Sequence, residues 1–254
     1  MYRIDLNCDI GESIGVYKYG FDEELIKFVT SANIACGFHA GDYNQMSKTV
    51  KLCLENGVTI GAHPGFPDLA GFGRRSMNMG YDDIKNMVLY QTGALIAIAK
   101  SLGAEVTHVK PHGELYNSAA RNPQTAAAVI DAVAILEVPA LMVLTASDMV
   151  EAARAKGLTV IREGFADRNY NPDGTLVSRN SGNALITDSE TAARQALQMV
   201  KEKKITCTGG EDIELEVDSI CIHGDTPHAV EMAGIIKNIF TKNNIKLINP
   251  LRGM

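Results

Sequence analysis

From Ile4 to Ile10 apolar and polar side chains alternate, with Ile4, Leu6, Cys8 and Ile10 on one face and Asp5, Asn7 and Asp9 on the other. A period of two predicts a strand with an apolar outer face and an acidic inner face, closed by Gly11. An acidic face inside a folded protein is costly unless it is paired, hydrated or used. The rest of the chain is therefore expected to wrap a barrel around this strand and to bring other polar strand ends beside it.

Strand and helix signals alternate through the rest of the sequence. A helical segment around Glu23 to Thr30 precedes a strand from Ser31 to Cys36. A helix from Tyr43 to Glu55 stops at Asn56-Gly57, and a strand covers Val58 to Ala62. The Gly- and Pro-rich stretch from His63 to Arg75 reads as a long loop. A helix from Tyr81 to Leu102 and a strand from Glu105 to Lys110 follow. Asn122-Pro123 then opens a helix as N-cap and first helical residue, running to about Leu136. Beyond it come a strand from Ala140 to Leu144, a helix capped by Ser147-Asp148 and ending at Lys156-Gly157, and a strand from Thr159 to Glu163. A second long loop covers Gly164 to Leu185, and a helix starts at Asp188-Ser189 and reaches Lys203. Ile205 to Val217 reads as a small hairpin turning at Gly209-Gly210. A strand from Ser219 to Ile222, a helix from Thr226 to Thr241 and a short tail complete the chain. Seven strand-then-helix units without a composition break predict one α/β domain over residues 1–254, with parallel strands and right-handed crossovers. Polar residues at nearly every strand end favour closure over an open sheet, so the expected fold is an irregular seven-stranded (β/α) TIM-like barrel.

Composition narrows the function. The 254 residues carry a net charge of −6 with no basic run, which argues against a nucleic-acid partner. No apolar run is long enough to span a bilayer, and charge at Tyr2-Arg3 argues against a signal peptide. Five scattered cysteines without CxxC spacing read as reduced thiols, so the expected location is the cytoplasm.

In a (β/α) barrel the C-terminal strand ends and the loops after them form the site. Those ends supply Asn7, Asp9 and Glu12; His39 and Asp42; His63, Asp68, Arg74 and Arg75; Lys110 and His112; Glu163, Asp167 and Arg168; and His223 and Asp225. A lone carboxylate such as Asp42 or Asp225 is as readily a helix N-cap, and a lone histidine is usually structural; His108, in mid-strand, and His228, inside the last helix, are read that way. The recurrence of one chemistry at six converging strand ends is what a core alone does not require. Carboxylates and imidazoles can move protons or hold a divalent metal. Lys110, Arg74 and Arg168 can bind a carboxylate or phosphate, and Lys110 can stabilise an oxyanion. The sequence has no nucleophile elbow, P-loop or dinucleotide fingerprint.

These stretches resemble the LamB/YcsF family, the A subunits of 5-oxoprolinase. The resemblance is carried by Asp5-Leu6-Asn7-Cys8-Asp9-Ile10-Gly11-Glu12, by Ala32 to Asp42, and by Gly61-Ala62-His63-Pro64 with Gly71-Phe72-Gly73-Arg74-Arg75. Val109-Lys110-Pro111-His112-Gly113, Leu115-Tyr116-Asn117, Glu163 to Arg168 and His223-Gly224-Asp225 continue it, in order, over nearly the whole chain. The resemblance implies a barrel related to the glycoside hydrolase and deacetylase fold group. It also implies ATP-dependent opening of 5-oxo-L-proline to L-glutamate with partner subunits B and C, with ATP (as its Mg complex) a co-substrate of the assembly.

On that reading the chain is a cyclic-amide hydrolase subunit. Asp9 or Glu163 is the expected base and His63 or His112 the expected acid. Lys110 and Arg168 hold the carboxylate or phosphoryl group. Asn7 and Asn33 orient the substrate, with Glu12, His39, Asp42, Arg74, Asp167, His223 and Asp225 as further binding residues. No metal is assigned. A metal-dependent deacetylase-like hydrolase using Asp9, His39 and His63, and a non-catalytic lactam-binding subunit, are the alternatives.

Overall fold

The computed structural model describes residues 2–179, 181–224, 228–249 and 251. The first strand, β1 (Tyr2–Ile10), follows its alternation: Leu6, Cys8 and Ile10 pack outward into the main apolar core, and Asp5, Asn7 and Asp9 are buried inward. The strands that follow are β2 (Ser31–Ala35), β3 (Thr59–His63), β4 (Val106–Val109), β5 (Ala140–Leu144) and β6 (Thr159–Phe165). After them come β7 (Lys204–Thr206), β8 (Asp212–Glu214), β9 (Ser219–Ile222) and β10 (Ile245–Leu247). Parallel pairing runs β1, β2, β3, β4, β5, β6, β9 and back from β9 to β1, closing a seven-stranded barrel. The antiparallel β7–β8 hairpin lies outside it. The chain thus forms the irregular α/β TIM-like barrel that its alternation requires.

Eight helices surround the described strands: α1 (Asp22–Leu25), α2 (Tyr43–Asn56), α3 (Tyr81–Ser101), α4 (Gly113–Arg121), α5 (Pro123–Ile135), α6 (Met149–Ala155), α7 (Ser189–Glu202) and α8 (Ala229–Lys242). Their ends obey local chemistry. Asn122 accepts from the backbone N–H of Gln124 and Thr125 ahead of Pro123, and Gly57 closes α2 in the left-handed region at φ 66°. Four features differ from the sequence reading. The first helix is a single turn rather than eight residues. The nine-residue α4 fills the space before Asn122, and the tail contributes β10, which pairs with Tyr2–Ile4 of β1. His228 stands at the N-cap position of α8, exposed and 3.5 Å from Glu231, rather than inside the helix; the expected start at Thr226 lies outside the described residues.

Inside the barrel Ala140, Met142 and Ile161 form a small apolar cluster. The inward residues of the other strands are polar. Asp5 accepts from Thr30 Oγ1 (2.6 Å) and Ser31 Oγ (2.7 Å), and from Ser219 Oγ. His108 crosses the lumen above Gly61, where a Cβ would lie 2.1 Å from its Nε2, and donates to Asn33 Oδ1 at 2.8 Å. The register of β3 against β4 shifts at this point, between Ile60 and Gly61. His108 is therefore a structural residue, satisfied by its neighbours, that fixes which way the Asn33 amide points.

Candidate active site

Because Asn33 accepts from His108, its Nδ2 turns the other way. It donates to Asn7 Oδ1 and Asp9 Oδ1, each at 2.9 Å. Asn7 passes the alignment on, donating from Nδ2 to Ser219 Oγ (2.7 Å) and Glu163 Oε1 (3.1 Å). At the end of this chain sits the Lys110 ammonium, one residue past β4. It donates to Glu163 Oε1 at 2.7 Å, Asp9 Oδ1 at 2.9 Å and Cys221 Sγ at 3.1 Å. Burial works against the ammonium, but the Asp9 and Glu163 carboxylates outweigh it and hold the Lys110 pKa well above its ordinary value. Burial likewise acts to raise Asp9, and His63 and Lys110 reverse this, so its carboxyl stays well below the usual range. The centre of the site is a fixed ion pair.

Beside it lie three histidines. His63 Nδ1 donates to the Lys110 carbonyl oxygen at 2.7 Å, which leaves Nε2 facing Asp9 Oδ2 (3.3 Å) and His112 Nδ1 (2.9 Å). His112 Nε2 donates to the carbonyl of Phe72 at 2.8 Å. Phe72 presents that carbonyl from a left-handed conformation, φ 54°, which is strained for an aromatic residue and common at functional sites. His39 stacks flat on His112, ring centres 3.6 Å apart. Gly73 permits the stack, since a Cβ there would come within 2.8 Å of His39 Cβ and 2.9 Å of His112 Cδ2. Burial holds both His39 and His112 well below the ordinary imidazole pKa.

Across the floor, His223 Nδ1 meets the Asp167 carboxylate at 2.8 and 2.9 Å, and Phe165 stacks on its ring. Burial acts to raise Asp167, yet His223, Arg179 and Arg168 together hold it below its usual value. Arg168 is itself drawn down to about 10 by burial and donates to the carbonyls of Val177 (2.6 Å) and Ala184 (3.3 Å).

A cavity of about 880 Å³ opens above this floor. Asp9, His63, Lys110, His112, Arg168 and His223 line it, with Arg74, Arg75, Arg121 and Arg179 on its walls. Of the sequence-expected residues, Asn7, Asn33, Glu163, Glu12, His39 and Asp167 are buried behind this lining. Glu163 is fully buried and both its oxygens accept hydrogen bonds, Oε2 from Tyr116 Oη at 2.7 Å. Asp42 does not line the cavity. It caps α2, accepting from Asn44 and Gln45 N–H, and also from Gly15 N–H at 2.7 Å. Asp225 lies outside the described residues. Tyr116, Phe165, Cys221 and Ser219 also stand at the site; the sequence reading names the first two only within stretches that carry the family resemblance, and the last two not as site residues. Cys221 and Ser219 share the inward face of β9, which the alternation of that strand does indicate.

A family model described as the LamB/YcsF family matches residues 4–253. The chain belongs to the LamB/YcsF family. Among its relatives, the A subunit of 5-oxoprolinase from Clostridium beijerinckii is 50% identical over 251 residues, 98% of each chain. That of Pyrococcus furiosus is 49% identical over 247 residues, 97% of each. The crystal structure of the lactam utilization protein from Thermus thermophilus superposes with a TM-score of 0.91 at 42% identity, covering 97% of this LamB/YcsF chain and 99% of that one. A putative cellobiose-phosphate cleavage protein from Enterococcus faecalis V583, 15% identical with a TM-score of 0.57, shares the fold.

Proposed function

We propose that this LamB/YcsF chain is the hydrolytic subunit of an ATP-dependent 5-oxoprolinase, opening 5-oxo-L-proline to L-glutamate together with subunits B and C. The observation that carries the reading is the Asp9–Lys110 ion pair, set beside His63 and His112 at the base of an arginine-walled cavity. A lactam is a resonance-stabilised amide, so its hydrolysis needs an activated water, a counter-charge for the carbonyl oxygen and a proton for the leaving nitrogen.

Each need has a group in the cavity. Arg74 and Arg168 take the substrate carboxylate or an attached phosphoryl group, since a guanidinium fits either anion with two hydrogen bonds. The Lys110 ammonium supplies the counter-charge. Water is activated at the His63–His112 pair, with Asp9 beside it. His223, oriented through Nδ1 by Asp167, delivers the proton to the leaving amine. This last role departs from the sequence expectation, because His63 and His112 face each other while His223 has the carboxylate partner of a general acid. Glu163 positions Lys110, since three donors occupy its oxygens and it has no face on the cavity. No nucleotide-binding motif is present in the chain, which fits a division of labour in which ATP is handled by the partners.

The test is glutamate release from 5-oxoproline with Mg-ATP, comparing this chain alone, candidate subunits B and C, and the three together. Glutamate only from the full mixture supports the reading. Glutamate at full rate from B and C alone overturns it.

A further inference from the structure

The histidine pair carries a proton count that does not close. His63 Nδ1 and His112 Nε2 each lie within 2.8 Å of a backbone carbonyl oxygen, which can only accept. Both of these nitrogens therefore carry a ring proton. The remaining nitrogens, His63 Nε2 and His112 Nδ1, bear lone pairs in the neutral rings, yet they point at each other across 2.9 Å. Two lone pairs at that distance repel unless a positive centre lies with them. More donor atoms converge on the same place. Glu12 Oε1 is 4.0 Å from His112 Nδ1 and 3.6 Å from His39 Nε2. His39 is fully buried, and neither of its ring nitrogens has a hydrogen-bond partner. A buried polar atom left so costs on the order of 1–3 kcal/mol.

We propose that Glu12, His39, His63 and His112 form a binding site for one divalent transition-metal ion of the zinc class. Their ligand atoms all lie within 4.8 Å of one another. Three imidazoles and a carboxylate are a donor set that suits zinc and its neighbours. The backbone carbonyls on the far nitrogens of His63 and His112 are the outer support that metal-ligating histidines use to fix their tautomer. His39 and His112 lie with parallel planes, so one of the two rings tilts when both ligate. A single proton shared by His63 and His112 is the competing positive centre, but it leaves both nitrogens of His39 without a partner. Asp9, Cys221 and His223 also bring ligand atoms together, but there the Lys110 ammonium already sits 2.9 Å from Asp9 and 3.1 Å from Cys221. An ion beside His63 borders the cavity floor, where it can polarise a water. The site rests on geometry alone and holds whichever substrate the cavity takes.

The experiment is cobalt titration of the chelator-stripped chain, followed by the visible absorption of the ion and by calorimetry, with zinc as competitor. The expected result is one equivalent of Co2+ with low-symmetry absorption, displaced by Zn2+. Binding should be lost in His63→Ala and weakened by at least about 10-fold in Glu12→Gln. His223→Ala, in the second cluster, should bind as wild type. Should His63→Ala fail to fold, the near-isosteric Glu12→Gln decides. Absence of stoichiometric cobalt and zinc binding, binding untouched by Glu12→Gln, or binding lost with His223 instead would each overturn the assignment. None of these readings depends on glutamate formation.

Discussion

Glu163 grips Lys110 from behind: its Oε1 accepts from the ammonium at 2.7 Å, while its own side chain is sealed from the cavity. A residue so placed should act through the lysine. Lys110→Met is expected to cost about 10²–10³ in kcat when all three components are assayed together, the scale for losing one oriented counter-charge. It should also destabilise the fold by about 3–5 kcal/mol, because the buried Asp9 and Glu163 carboxylates then lose the ammonium they share. Glu163→Gln keeps the shape and should lower kcat by less than Lys110→Met, with KM unchanged. A Glu163→Gln enzyme that is folded but wholly dead, and that has lost the acid limb of its pH profile, would make Glu163 the base instead.

His223 Nδ1 lies 2.8 Å from Asp167 Oδ2, the pair to which the proposed mechanism gives the leaving-group proton. His223→Ala should lower kcat by about 10²–10⁴-fold, the usual worth of a positioned acid. Asp167→Asn should cost less and leave a diagnostic mark. The carboxylate favours the imidazolium form, so its removal moves the alkaline limb of the kcat–pH profile to lower pH. Arg168 and Arg179 also face Asp167 and stay in place in this variant. An alkaline limb that does not move in Asp167→Asn would remove His223 from the acid role.

Asp42 is expected to be a cap and nothing more. It satisfies the first N–H groups of α2 and the N–H of Gly15, away from the cavity. Asp42→Ala should lower stability by about 0.5–2 kcal/mol, the range for losing an N-cap. Glutamate formation per folded molecule should be unchanged. A rise in KM with stability intact would restore Asp42 to the substrate site.

How much of the structure is legible in the sequence varies along the chain. The inward face of β1 was legible because its alternation is strict over seven residues, and Asp9, His63, Lys110, His112, Glu163 and His223 do gather at one end of the barrel. Tyr116 was missed as a site residue together with its helix. α4 is only nine residues long, begins at a glycine with φ 55°, and is followed at once by the strong Asn122-Pro123 start of α5, so the pattern assigns no element to it. β10 escaped because three alternating residues are too few to signal a strand. The pairings were beyond reach for another reason. That His63 faces His112 while His223 takes Asp167 is decided by the backbone carbonyls of Lys110 and Phe72 and by the strand order, and sequence spacing encodes neither.

The loop after β1 holds a pH-dependent weakness. Asp22 Oδ2 accepts from the Gly11 N–H at 2.9 Å, at the turn that closes the acidic strand. Burial pushes the Asp22 carboxyl up to about 6; Gly11 and Lys48 oppose the shift, while Glu23 and Glu24 add to it. In the unfolded chain the group titrates near its ordinary 3.8. Between those two values the folded protein holds a proton that the unfolded chain has released, so stability falls as pH rises through the window. Above about 6 the carboxylate is ionised in both states and the full penalty applies. Asn at this position keeps an oxygen for the Gly11 N–H and removes the charge. Asp22→Asn should therefore be more stable than wild type by roughly 1–2 kcal/mol at pH 7, with the difference vanishing near pH 4. Paired urea unfolding curves at the two pH values measure it. A variant that is less stable at pH 7, or a difference that does not shrink at low pH, would show that the ionised carboxylate supports this turn.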